Sequence, residues 1–167
     1  MKKSIILSAF LFSMYSFSQN MDNEKLQEIY TSVSDSIQGQ LGAWQFQVKD
    51  VMMISITDTN HNRMRIISPI VDAANLDDDM LKAALAANFH TALDVKYAIT
   101  DGVLWSVFIH PLKELSEDQL RDALSQVYYA NVNFGSSYAS TSLIFPGSEN
   151  KETKKKKDEP IFKKRKI

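Results

Sequence analysis

Asp101-Gly102 stands between two runs of strand-forming residues, Val95–Thr100 and Val103–Ile109. Gly tolerates the positive φ that a two-residue hairpin turn requires, so the pair predicts a tight hairpin. Strands joined in so few residues must run antiparallel. Other alternating runs surround this hairpin. Trp44, Phe46 and Val48 alternate with Gln45, Gln47 and Lys49, and Met52, Ile54 and Ile56 alternate with Val51, Met53, Ser55 and Thr57. Asp58-Thr59-Asn60-His61-Asn62 has turn chemistry, and a third strand of this group starts at Arg63 and runs to about Pro69–Val71. Three segments have helical spacing instead. Leu26, Ile29, Tyr30, Val33 and Ile37 form one stripe over residues 22–38, ended by Gly39 and Gly42. Asp77-Asp78-Asp79 opens a second helix at its positive end, with Met80, Leu81, Ala84, Leu85 and Phe89 as its expected buried side. Ser116-Glu117-Asp118-Gln119 has the form of a capping box, before a stripe of Leu120, Leu124, Val127, Asn131, Phe134 and Tyr138. The expected architecture is α+β in the order α-β-β-β-α-β-β-α, an antiparallel sheet with helices packed on one face.

The N-terminus has a different character. Lys2-Lys3 precedes an apolar run, Ile5–Phe17, and Ser16-Phe17-Ser18 ends it. This order predicts a secretory signal peptide over residues 1–18, cleaved after Ser18. Thirteen positions interrupted by Ser8, Ser13 and Ser16 fall short of the roughly 20 apolar residues a membrane span needs. Removal leaves 149 residues, enough for one domain with a real core. The expected location is the periplasm or the extracellular space. There is no cysteine, so neither disulfides nor thiol chemistry contribute and packing must supply the stability.

The near-neutral total conceals two unlike parts. Residues 19–150 hold eight Lys or Arg against 17 Asp or Glu, a net of −9; residues 151–167 hold nine against three, a net of +6. The expected single domain spans residues 19–148. Residues 149–167 form a basic tail with too few apolar residues to build a core, expected to be disordered. The acidic domain is unsuited to nucleic acid, which requires clustered cations. The tail, through Lys154, Lys155, Lys156, Lys157, Lys163, Lys164, Arg165 and Lys166, is suited to a polyanion or an anionic lipid surface.

No catalytic, cofactor or metal residue is assigned. His61, His90 and His110 lack the i, i+4 spacing of a zinc site. Asp58-x-Asn60-x-Asn62 begins like a calcium loop, but Arg63 stands where Gly is needed and Pro69 where Glu is needed. There is no Gly-x-Ser-x-Gly elbow and no phosphate-binding glycine loop. The informative feature is strands that are apolar on both sides. One face must meet the helices. The expected open face bears Val51, Met53, Leu104 and Phe108, as a partner or dimer interface.

Leu81–Phe89 with Leu85 and Asn88, then Val95–Ile99, Asp101-Gly102-Val103-Leu104-Trp105, Pro111-Leu112-Lys113-Glu114-Leu115 and finally Leu120 and Val127 resemble the type III secretion chaperone-like superfamily. That superfamily includes the Tir chaperones and YbjN-type domains, and the resemblance covers about residues 44–138. In the family a helix ends in an LL-x-x-N pattern, a hairpin follows, and P-L-x-x-L leads into the last helix. The resemblance implies a small α+β domain, often a homodimer, that binds an extended protein or peptide segment without catalysis. Secretion chaperones work in the cytosol, whereas this chain carries an export pattern, so it implies a chaperone-like or adaptor fold reused in the envelope. The runner-up is a surface protein acting through its basic tail, and an enzyme of unknown type comes third.

Overall fold

Asp22 starts the first helix. Its carboxylate accepts from the Lys25 amide at 2.8 Å, filling one of the donors a helix start leaves open. In the computed structural model, which describes residues 20–142, this helix α1 spans Asn23–Val33 and buries Leu26, Ile29 and Tyr30. The expected signal peptide and basic tail lie outside the described residues.

Helix α1 is shorter than its apolar stripe suggests. The Ser34 hydroxyl donates to the Tyr30 carbonyl at 2.7 Å. The Asp35 amide donates to the Gln47 carbonyl at 2.8 Å, while its carboxylate accepts from the Lys49 amide at 2.7 Å. Short polar side chains that bond nearby backbone divert the chain from helix. Ile37 therefore lies not on the helix but in a strand, β1 (Ser36–Gln40), opposite Phe46. Gly39 is not a helix cap either. At φ 119° it passes so close to the next strand that a Cβ would sit 2.3 Å from the Ala43 carbonyl oxygen.

The remaining strands and α-helices are β2 (Ala43–Val48), β3 (Val51–Asp58), β4 (Arg63–Asp72), α2 (Asp78–His90), β5 (Lys96–Thr100), β6 (Val103–His110) and α3 (Glu117–Val132), with a 3-10 turn, Ala73–Asn75, between β4 and α2. The strands form one sheet in the order β1-β2-β3-β4-β6-β5, antiparallel throughout. The class is α+β, with one strand, β1, more than the expected order. Asp101 and Gly102 both have positive φ, 51° and 75°, as the hairpin requires. The capping box forms: Gln119 Oε1 accepts from the Ser116 amide at 2.9 Å, and Ser116 Oγ from the Gln119 amide at 3.2 Å.

Helices α1 and α3 cover one face of the sheet. Trp44, Phe46, Val51, Met53, Ile66, Leu104 and Phe108 point into this core, with Leu120, Leu124 and Val127 from α3. Val51, Met53, Leu104 and Phe108 are 4%, 0%, 2% and 4% exposed. They are core under the chain's own helices, not an open interface. Three serines share their face. Ser55 Oγ pairs with Tyr30 Oη at 2.8 Å, Ser106 Oγ donates to the Val127 carbonyl at 3.3 Å, and Ser68 Oγ accepts from Asn131 Nδ2 at 2.7 Å. Small side chains let the helices approach, and each of these three buried hydroxyls has a partner. The opposite face carries Gln45, Gln47, Arg65 and Lys96 in the same strands, so the more apolar face takes the helices.

Helix α2 lies along the β5 edge. Asp77 caps it, accepting from the Met80 amide at 2.8 Å. Its buried side is Ala84 and Ala87, whereas Leu85 and Phe89, expected inside, are 70% and 81% exposed. Two alanines permit the close approach that brings Asn88 to the β5 backbone; larger side chains there would hold the helix away.

Candidate functional site

The face of the sheet away from α1 and α3 is the candidate site. Its residues follow from the register. One row across the strands reads Gln38, Gln45, Ile54, Ile67, Val107, Lys96. The next reads Gln40, Ala43, Ile56, Arg65, Ile109. On the other side Gln47 faces Met52, and Trp105 stands between Pro69 and Ala98. The centre is thus branched aliphatic and Trp105, and the margins are Gln, Lys and Arg. An apolar centre inside a polar rim is the anatomy of a protein-binding surface. Ile109 is 61% and Ile56 43% exposed. A shallow depression of about 380 Å³ opens at the β1 side, lined chiefly by Gln38, Ala43, Gln45, Ile54 and Ile56.

Charge on this face is set by few groups. Arg65 lies between Ile56 and Ile109. The ion pairs of Asp58 with His61 and of Glu117 with Arg121 do not involve Arg65. Lys96 Nζ donates to the Leu93 carbonyl. Partial burial holds its ammonium below the ordinary lysine range, and nearby Asp94 opposes that shift. Trp105 Nε1 donates to the Thr100 carbonyl at 3.3 Å, which fixes the indole against the hairpin.

The polar side chains elsewhere have structural partners. Asp58 accepts from the His61 amide at 3.0 Å and pairs with its ring at 2.7 Å; those hydrogen bonds hold its carboxyl below the ordinary range. Asn62 binds Glu114 and the Lys113 amide, each at 2.8 Å, tying the β3–β4 turn to the segment before α3. Asp58, Asn60 and Asn62 thus act as turn residues. His110 Nδ1 lies 2.7 Å from the Pro111 carbonyl and its ring stacks on Phe108, and His90 packs edge-on against Phe89. Among the described residues no group of three or more His, Asp or Glu is placed to hold a metal ion. No helix among them is long and apolar enough to cross a membrane. The eight basic tail residues, Lys154–Lys157 and Lys163–Lys166, lie outside the described residues.

Sequence reasoning identified both strand faces as apolar but assigned the open one to the wrong parity. The missing signal was the register, which sets Phe46 and Val48 beside Met53 and Val51, and Gln45 and Gln47 beside Ile54 and Met52. Ser68 and Ser106 pair across β4 and β6, and Ser55, opposite Ile66, lies on the same face, where a helix can ride close.

The fold and the site define an α+β domain whose antiparallel sheet is covered by helices on one side and, among the described residues, open on the other. No protein-family model matches the chain, and no curated protein matches it. Among solved structures it is similar to a chain in the structure of the HopA1–SchA chaperone–effector complex. The identity is 12% and the TM-score 0.49, over 64% of this chain and 92% of that one.

Proposed function

We propose that this chain is an exported, non-catalytic protein-binding module of the type III secretion chaperone-like kind, acting through the open face of its sheet. The observation that carries the reading is the uncovered apolar field of Ile54, Ile56, Ile67, Trp105, Val107 and Ile109. Exposed apolar surface rimmed by polar groups is a mark of interaction sites. The partner is a protein segment that offers apolar side chains to this field and carboxylates to Arg65 and Lys96. A second copy of the chain suits the face less well, because a two-fold contact centred here would bring like-charged Arg65 side chains together.

The experiment is selection from a peptide display library on the full chain. Acidic–apolar peptides should be enriched, and their binding should be lost in Ile109→Glu and Arg65→Glu. Selection without a common pattern, or binding indifferent to both substitutions, would sink the reading. Concentration-dependent dimers abolished by Ile109→Glu would reassign the face to a homodimer.

A further inference from the structure

The two end strands of the sheet differ in protection. At one end α2 lies along β5, and Asn88 bonds the Tyr97 backbone in both directions, by its Nδ2 at 3.1 Å and its Oδ1 at 2.7 Å. At the other end β1 pairs with β2 on one side and, among the described residues, with no strand on the other. A bare edge offers a row of amide donors and carbonyl acceptors, and proteins guard such edges with charge, proline, a bulge or a covering element. β1 has none of the first three. It reads Ser36-Ile37-Gln38-Gly39-Gln40, and its register with β2 runs unbroken from Ser36 opposite Gln47 to Gln40 opposite Ala43. Every residue in it but Ile37 is exposed.

We propose that β1 is a docking edge for a second copy of this chain, the two strands pairing antiparallel about a two-fold axis at Gln38 and joining two six-stranded sheets into one. In this register the strand is complementary to itself. Gln38 meets Gln38 of the second copy, and each side-chain amide can donate to the other's oxygen and accept in return. Ile37, only partly buried in one copy, falls opposite Gly39 of the second copy, where the absence of a side chain leaves room for it. Charge favours this contact over others between two copies. Residues 19–150 carry a net −9, so like charge opposes most approaches. β1 has no ionisable side chain, and the residue before it, Asp35, falls opposite Leu41 of the second copy. The two Asp35 residues then stand about 20 Å apart along the ladder at ~3.3 Å per residue, well beyond the ~8 Å screening length of physiological salt. A second copy also suits the edge better than a disordered peptide does, because its strand is already formed and pairing costs less ordering entropy. The contact leaves the open sheet face bare in both copies, so it stands or falls apart from the peptide binding proposed above.

Sedimentation of the full chain over a range of concentration, in salt that screens the basic tail from the acidic domain, tests the pairing. The unaltered chain should form a reversible dimer. Gln38→Lys and Gln38→Glu, at an exposed position, should each lose it, because like charges then meet at the axis. An equimolar mixture of the two variants should regain it, which excludes unfolding as the cause of the loss. Ile109→Glu, on the open face, should leave the dimer unchanged. A monomer at every concentration would overturn the pairing, as would dimers that persist in both Gln38 variants or a mixture that stays monomeric. Dimers lost in Ile109→Glu but kept in Gln38→Lys would also overturn it and move the contact to the open sheet face.

Discussion

The Asn88 side chain grips the Tyr97 backbone from both ends: its Nδ2 donates to the Tyr97 carbonyl at 3.1 Å and its Oδ1 accepts from the Tyr97 amide at 2.7 Å. One amide side chain thereby imitates a neighbouring strand at the open edge of β5. Edge strands with free donors and acceptors invite unwanted pairing, and proteins cover them. Asn88→Ala removes both bonds from a part-buried site and uncovers the edge. The expected cost is ~1–3 kcal/mol in urea unfolding, with a raised tendency to self-associate. An unchanged unfolding midpoint would show that the contact is incidental.

Much of this arrangement was open to sequence reasoning, and the exceptions have physical causes. The hairpin at Asp101-Gly102 and the capping box at Ser116 are local devices, so they read correctly. Helix α1 was read too long because Ile37 continues its spacing; the chain departs at Ser34 and Asp35, whose side chains take up backbone groups. Asn88 marked the end of a recognisable pattern, but its task depends on β5, which only the fold brings alongside. The open sheet face was misassigned because periodicity records that two faces differ, not which of them a helix will choose.

Phe108 and Ile109 separate the two faces experimentally. Phe108→Ser opens a cavity and sets a hydroxyl in the core, with an expected loss of about 3–5 kcal/mol. Ile109→Ser should cost under about 1 kcal/mol, because the side chain is largely in water. Comparable losses from both in denaturant unfolding would mean that something covers the open face.

Alkaline pH should unfold the domain through Tyr30 and Tyr97. Burial raises both phenols well above their ordinary value of 10.0. Tyr30 Oη is hydrogen-bonded with Ser55 Oγ at 2.8 Å, and Tyr97 donates to the Ala130 carbonyl at 2.9 Å. The folded state keeps these phenols neutral, whereas the unfolded chain ionises them near pH 10. The stability they contribute is therefore complete below about pH 10 and is lost as pH rises toward their folded values. Tyrosinate absorbance should show part of the tyrosines titrating at once and the rest only together with loss of structure. Tyr30→Phe should move that second step to higher pH. Free titration of every tyrosine in the folded protein would contradict the burial.

Export rests on Lys2-Lys3, the apolar run and Ser16-Phe17-Ser18. N-terminal sequencing of the protein from its producing cells is expected to begin at Gln19. A cell-interior product that retains Met1 would remove the envelope setting from the proposed function.

The basic tail has two possible anionic counterparts, a lipid surface and the chain's own acidic domain. Salt does not distinguish them, since both attractions weaken as the screening length shrinks to ~8 Å near physiological ionic strength. Competition does. The mature chain and a version ending at Glu149 should be compared on vesicles of phosphatidylserine with phosphatidylcholine and on phosphatidylcholine alone, at low salt. If Lys154–Lys157 and Lys163–Lys166 meet lipid, only the longer chain sediments, and only with the anionic vesicles, at ~1 kcal/mol for each cation near the surface. If instead the tail engages the acidic domain, vesicle binding is weak and a peptide of residues 150–167 binds the shortened chain. Absence of both interactions would leave the tail without an anionic partner and the open sheet face as the site of binding.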